Sequence, residues 1–372
     1  MTKKLKLMTI VGTRPEIIKM SESIKLFDTA FDHVLVHTGQ NYDYELNQVF
    51  FDDLGLREPD FYLGVVGNDL GETMGNILSK SYTLMRDVRP DALIVLGDTN
   101  SCLCVISAKR LKIPIFHMEA GNRCFDENLP EEVNRRIVDT TSDVNLCYSE
   151  HARRNLLAMG CAVDRTFVVG SPMREVLSTH RSRIESSDVL DRLGLEAGGY
   201  FLLSMHREEN IDDESNFENV IESVNALVET YKIPVLYSMH PRSKKIIEQR
   251  QVIFHNLVRS HEPFSFIDYV ALQRNALCVI SDSGTLAEES SILGFSAVSL
   301  RTSTERAEAI DRGAFTLGCI TKENVLQAVA IETLLEGKRS DVLDYCDIDI
   351  SAKIVKLIQG YAKYVKRSVW GQ

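Results

Sequence analysis

Ala92-Leu-Ile-Val-Leu-Gly-Asp-Thr-Asn100, continued by Ser101 to Leu111 and then by Ile113-Pro-Ile-Phe-His-Met-Glu119, decides the fold. The aliphatic run over Ala92–Leu96 reads as a buried strand. Helical spacing follows over Asn100–Leu111, and a second apolar run over Ile113–Met118. Strand, helix and strand in that order make a parallel βαβ unit, whose strands are covered on both faces and need no polar alternation. The same rhythm extends outward to strands at Lys6–Val11, His33–Thr38, Val144–Tyr148 and Thr166–Val169, with a helix over Glu132–Thr141. It lapses over the polar stretch from Pro172 to Gly199 and resumes at Tyr200–Met205, Pro234–Ser238, Phe264–Ile267, Leu277–Ser281 and Ala297–Leu300. The expected class is α/β, with two Rossmann-like domains and a deep cleft between them. The expected limits are 1–172 for the first domain and 173–350 for the second. A C-terminal helix over 351–372 then crosses back to the first.

A chain of 372 residues is long for one core, which fits two domains. Its 44% hydrophobic and 26% charged residues are those of an ordinary globular protein. A net charge of −11 disfavours nucleic-acid partners, which need a basic surface, but not a single nucleotide held by a few cations and helix N-termini. No apolar run is long enough to span a bilayer and no signal-peptide pattern is present, so a cytoplasmic location is expected, with no membrane partner. The eight cysteines contain no C-x-x-C pair. Cys102, Cys104, Cys147, Cys278 and Cys319 lie among apolar residues and read as small buried hydrophobes, so neither disulfide nor metal is expected.

Ligands of open parallel sheets bind beyond the carboxyl ends of the strands. Polar or charged residues follow nearly every strand here: Gly12-Thr-Arg-Pro-Glu, Thr38-Gly-Gln-Asn, Gly97-Asp-Thr-Asn, Glu119-Ala-Gly-Asn-Arg, His206-Arg-Glu-Glu-Asn, His240-Pro-Arg-Ser and Asp282-Ser-Gly-Thr. Gly12 to Glu16 opens a helix whose N-terminus suits phosphate, with Arg14 and Lys19 adding charge; an ordinary βα turn explains it as well. Ser283-Gly284-Thr285 is a second such junction, and Glu288 or Glu289 suits a ribose diol, against the plain reading of a capped helix with a solvated acidic first turn. Asp98, Glu119 and Pro130-Glu-Glu-Val-Asn-Arg-Arg136 place carboxylates near adjacent strand ends, as proton transfer requires. Ion pairs with Arg123, Arg135 and Arg136 are the structural alternative, and Glu132 fits a mere helix-start role. His206 suits phosphate or a leaving group. His117 and His240 read as packed residues, and Cys124 has no identifiable partner base.

In that order, Val11-Gly-Thr-Arg-Pro-Glu, Gly97-Asp-Thr, His117-Met-Glu-Ala-Gly, Pro130-Glu-Glu-Val-Asn-Arg, His206-Arg-Glu-Glu-Asn, Ser281-Asp-Ser-Gly and Ser303-Thr-Glu-Arg resemble the non-hydrolysing UDP-N-acetylglucosamine 2-epimerase family over nearly the whole chain. The resemblance implies a glycosyltransferase-B-like fold, no cofactor or metal, and a homodimer. It implies catalytic roles for Asp98, Glu119, Glu131 and His206. It implies a substrate-binding set of Arg14, Lys19, Arg123, Arg135, His206, Arg207, Ser283, Gly284, Thr285 and Glu289. Within the family, His37-Thr-Gly-Gln-Asn-Tyr-Asp-Tyr, His117 to Asp126 and Ser283 to Ser291 look closest to the branch that makes UDP-N-acetyl-L-fucosamine for capsule or O-antigen synthesis. That branch epimerises UDP-2-acetamido-2,6-dideoxy-L-talose. The alternatives are a UDP-N-acetylglucosamine 2-epimerase and a catalytically weak nucleotide-sugar-binding relative. Gly39-Gln-Asn-Tyr departs from the stretch where some relatives bind an activating second substrate. Thr140 stands where histidine is expected, which would remove a polar group near the 130–136 acids, and Ala307 replaces a proline.

Overall fold

The computed structural model describes residues 3–39, 51–239, 241–335 and 337–372, and among these the strands form two sheets, one of seven and one of six. The first comprises β1 Lys6–Val11, β2 Asp32–His37, β3 Phe61–Tyr62, β4 Ala92–Leu96, β5 Ile115–Met118, β6 Val144–Cys147 and β7 Thr166–Val168. Its order is β3-β2-β1-β4-β5-β6-β7, and every pairing is parallel. All of β4 is buried, as expected of a central strand with helices on both faces. Met8, Ile10, Leu93, Val95 and Ile115 share one core with Ile77, Met85 and Ala108 from flanking helices.

The second sheet comprises β8 Phe201–Met205, β9 Val235–Met239, β10 Val258–His261, β11 Cys278–Ser281, β12 Ala297–Ser299 and β13 Thr316–Leu317, in the order β10-β9-β8-β11-β12-β13. Its pairings are parallel too. In each sheet the first strand has its successor on one side and a later strand on the other. The β1/β4 and β8/β11 neighbours are therefore topological switch points, where connections leave in opposite directions and open a crevice at the carboxyl ends.

The chain divides into two compact units, 1–178 with 347–372, and 179–346. These limits differ from 172 and 350 because the helix Met173–Thr179 is anchored in the first unit. Glu175 accepts hydrogen bonds from the Ser351 backbone N–H at 2.9 Å and hydroxyl at 2.8 Å. Ser351 opens the helix Ile350–Trp370, which buries Ile354, Ile358, Ala362 and Val365 along one stripe and packs on the helix Arg14–Ala30.

One expected strand is absent. Phe264–Ile267 is not β: Ser265 caps the helix Phe266–Asn275 by accepting from the Asp268 N–H, and the strand lies earlier, at Val258–His261. The 172–199 connection carries three short helices, Met173–Thr179, Arg181–Glu185 and Val189–Leu193. Cys319 is half-buried rather than buried, unlike Cys102, Cys104, Cys147 and Cys278. Among the described residues no helix is long and apolar enough to cross a membrane. Gln40 to Tyr44 and His240, on which parts of the readings above fall, lie outside the described residues.

Candidate active site

In the first unit the site is built where β4 and β5 end. Their register pairs Leu96 with Met118, so Glu119 comes level with Gly97 and Asp98 lies one residue further. Glu119 has φ of 65°, a left-handed conformation that costs a non-glycine residue roughly 1–2 kcal/mol. It is held there by Lys19, whose ammonium donates to Oε2 at 2.6 Å with both side chains buried. Asn122 donates to the other oxygen at 3.3 Å. The turn that follows needs glycine at 121: φ is 86°, and a Cβ there would lie 2.3 Å from the Ala152 carbonyl oxygen.

Asp98 Oδ2 receives two bonds from Arg135, from Nε at 2.8 Å and a terminal nitrogen at 2.7 Å. Arg135 comes from the helix Pro130–Thr141, which starts with proline in its first turn. Glu131 occupies that first turn, is half-buried, and makes no side-chain hydrogen bond or ion pair among the described residues. Two carboxylates are thus clamped by cations, and a third is left open.

Beneath them lies a buried network. Glu132 does more than support the helix start; it is fully buried and accepts from the Cys124 N–H at 3.1 Å and from Arg135 at 3.2 Å. Asp139 accepts from the Gly121 N–H at 3.2 Å and from Arg123 at 2.6 Å, with His117 Nδ1 2.9 Å away. His117 Nε2 meets the Gly97 carbonyl at 2.8 Å. Arg123 is therefore committed to the protein, and its buried guanidinium is a support rather than an open ligand for substrate. The Cys124 thiol lies 3.4 Å from Glu132, and burial pushes its pKa up. Thr140 is exposed and donates to the Arg136 carbonyl of its own helix at 2.7 Å.

The head of the helix Arg14–Ala30 also corrects the reading made from the sequence. The N–H groups of Gly12 and Thr13, which lead into it, are not open to phosphate. The backbones of Gly12 and Thr13 donate to Glu16 Oε2 at 3.0 and 2.7 Å, as does the Thr13 hydroxyl at 2.8 Å. Thr13 and Glu16 are the first and fourth residues of a capping box, a signal present in the sequence as Thr13-Arg-Pro-Glu16. Burial pushes Glu16 up to about 7, against the lowering effect of those bonds. Gly12 is confined as well, since a Cβ would come within 1.9 Å of the Ser101 hydroxyl.

In the second unit Asp282, the residue after β11, organises the switch point. It is fully buried and accepts from the backbone N–H groups of His206 (3.1 Å) and Arg207 (3.0 Å) and from the Asn210 amide (3.1 Å). His206 Nδ1 lies 3.0 Å from its carboxylate, and the imidazole is 41% exposed. Burial alone would raise the Asp282 pKa; the His206 ring and the Arg207 N–H overcome it and hold the group at about 2. Arg207 Nε donates to the Asp282 carbonyl at 2.8 Å, and Ser283 Oγ accepts from the Thr285 N–H at 3.3 Å. The helix Leu286–Leu293 follows, with an acidic first turn that is buried, not solvated. Glu288 pairs with Arg306 at 2.9 Å, and Glu289 accepts from Gln273 at 2.6 Å. Of the two, Glu289 keeps the ribose role open, while Glu288 is tied to a buried arginine.

The structure thus gathers Asp98, Glu119, Arg135 and Lys19 at one switch point, with Glu131 on the same helix as Arg135. It gathers His206, Arg207 and Ser283 to Thr285 at the other. Arg14 is half-buried beside Thr13. Glu16, Asp139 and Asp282 were not singled out from the sequence. Among the described residues no group of three or more His, Cys, Asp or Glu is placed to hold a metal ion.

A family model described as UDP-N-acetylglucosamine 2-epimerase matches residues 26–359. The structure of UDP-N-acetylglucosamine 2-epimerase from Rickettsia bellii is similar at a TM-score of 0.93 and 45% identity, over 99% of this chain and 100% of that one. The Methanocaldococcus jannaschii enzyme in complex with UDP-GlcNAc and UDP is similar at a TM-score of 0.90 and 31% identity, over 95% and 99%. The UDP-2,3-diacetamido-2,3-dideoxy-D-glucuronate 2-epimerase of Pseudomonas aeruginosa is 30% identical, over 91% of this chain and 92% of that protein.

Proposed function

The chain belongs to the UDP-N-acetylglucosamine 2-epimerase family and is an isomerase of UDP-linked sugars, and on that premise we propose how its two switch points divide the chemistry. The observation that carries the proposal is the first-unit cluster: Glu119, held in a left-handed conformation by Lys19, level with the turn that bears Asp98. Local strain of this kind recurs at functional sites. Proton transfer at carbon 2 needs carboxylates on rigid elements, and here they stand at strand ends.

A carboxylate of the set Asp98, Glu119 and Glu131 takes the C2 proton while the C1–O bond to UDP breaks, leaving a 2-acetamidoglycal. UDP then adds back to C1, and a carboxyl group of the same set delivers a proton to the opposite face of C2. Loss of a good leaving group makes removal of an otherwise unactivated proton feasible, and positioned acids and bases supply the transfer. Asp282 accepts on the Nδ1 side of His206, which leaves Nε2 to stabilise the departing phosphate. Ser283, Gly284 and Thr285 receive the diphosphate, Arg14 and Arg207 add charge, and Glu289 takes the ribose diol.

Two substrates fit this scheme. The stretches His37 to Tyr44, His117 to Asp126 and Ser283 to Ser291 support UDP-2-acetamido-2,6-dideoxy-L-talose, giving UDP-N-acetyl-L-fucosamine for capsule or O-antigen precursors. The names of the relatives support UDP-N-acetylglucosamine, giving the manno epimer. Incubating the protein with each UDP sugar and resolving the C2 epimers by NMR decides between them. A stable mixture of epimers from neither sugar, or release of reducing sugar, contradicts the proposal.

A further inference from the structure

The carboxylate of Glu16 is placed between the two strands of the first switch point. One oxygen takes the N–H groups of Gly12 and Thr13, at the end of β1. The other accepts from the Thr99 hydroxyl at 3.1 Å, on the turn after β4. Thr99 directly follows Asp98. The same turn is fixed on its other side by Arg135, through the Asp98 carboxylate, and by the Asn134 amide, which donates to the Asp98 carbonyl at 3.0 Å. Glu16 is 1% exposed, and the surrounding side chains are Thr13, Thr99 and the buried thiol of Cys102, 3.9 Å away.

A glycine turn leading from the first strand into a helix is ordinarily an anion seat. Here the protein's own side chain fills it. We propose that Glu16 is a positioning residue for Asp98: it fills the anion seat at the head of the helix Arg14–Ala30 and, through Thr99, fixes the turn that carries the catalytic carboxylate. The nucleotide's phosphates consequently do not sit on the Gly12 and Thr13 N–H groups, and the β1/β4 switch point serves the sugar. The inference rests on the epimerase reading for its activity readout.

Misplacement of a reacting group by about 1 Å lowers rate up to about 100-fold while leaving binding of the remote parts of the substrate intact. Thr99→Val removes the link and leaves the seat filled. It is expected to lower kcat about tenfold with KM and the calorimetric Kd for UDP within about twofold of wild type, and Thr99→Ser restores kcat. Glu16→Gln lowers kcat in the same way. Unchanged kcat in both variants overturns the inference, as does a loss confined to KM and UDP affinity, which would mark a phosphate site. Should the wild-type protein not exchange C2 at all, the epimerase reading fails by itself, and the link is then judged from urea midpoints. A Glu16→Gln/Thr99→Val double variant no less stable than the weaker single one supports it; strictly additive losses overturn it.

Discussion

Replacing Asp282 by asparagine is expected to destabilise the protein by about 2 kcal/mol at neutral pH, through the loss of a buried ionised acceptor. Burial disfavours that charge, yet the His206 ring and the N–H of Arg207 hold the carboxyl at about 2, below its ordinary 3.8. At roughly 1.36 kcal/mol per pH unit the gap corresponds to about 2 kcal/mol. The sign is fixed by the direction: a depressed folded-state pKa gives stability that is complete above about pH 4 and is lost as pH falls through about 2. Asparagine keeps the volume but turns an amide nitrogen toward groups that also donate, so no compensating bond replaces those lost. Urea unfolding followed by circular dichroism at pH 7, 5, 3 and 2 is the assay. The deficit should be full at pH 7 and 5 and shrink at the lowest pH. Equal midpoints at pH 7, or a deficit that does not shrink with acid, would refute the reasoning. The same variant should lose about 100-fold in turnover because His206 is no longer oriented.

Glu16 has the opposite sign. Its folded-state pKa, raised by burial from 4.5 to about 7, makes stability fall by about 3 kcal/mol as pH rises between those values. Glu16→Gln should flatten that slope in a urea series from pH 4.5 to 8, and parallel curves for the two proteins would count against it. Lys19→Met leaves Glu119 buried without its cation, so a loss of about 3–5 kcal/mol in urea unfolding is expected; a loss below about 1 kcal/mol would mean the pair is not buried as described. Glu131→Gln should leave the melting temperature unchanged, since Glu131 holds no partner among the described residues, yet lower turnover about 100-fold or more. Undiminished turnover would remove Glu131 from the proton-handling set.

The two-sheet plan was legible because parallel strands covered on both faces leave continuous aliphatic runs, as in Ala92–Leu96 and Lys6–Val11. Legibility failed at the sheet edges. Val258–His261 is largely exposed and so carries no burial pattern. The aromatic Phe264–Ile267 run next to it drew the strand reading, although Ser265, three residues before Asp268, is a helix cap. Within the candidate site, residues that follow strands were legible because topology alone places them. The partners that set their geometry were not: Lys19 with Glu119 and Arg135 with Asp98 join positions far apart in sequence. Glu16 carried a local capping signal in Thr13, three residues before it, which the phosphate reading of the same turn passed over. Asp139 gave no local sign, because its three partners come from β5 and the turn beyond it.

Turnover in deuterated water tests the central claim most directly. With the epimerised UDP sugar followed by NMR, the account predicts one deuterium at C2 of the inverted product and none at other ring positions. Inverted product that carries no deuterium at C2 would contradict it.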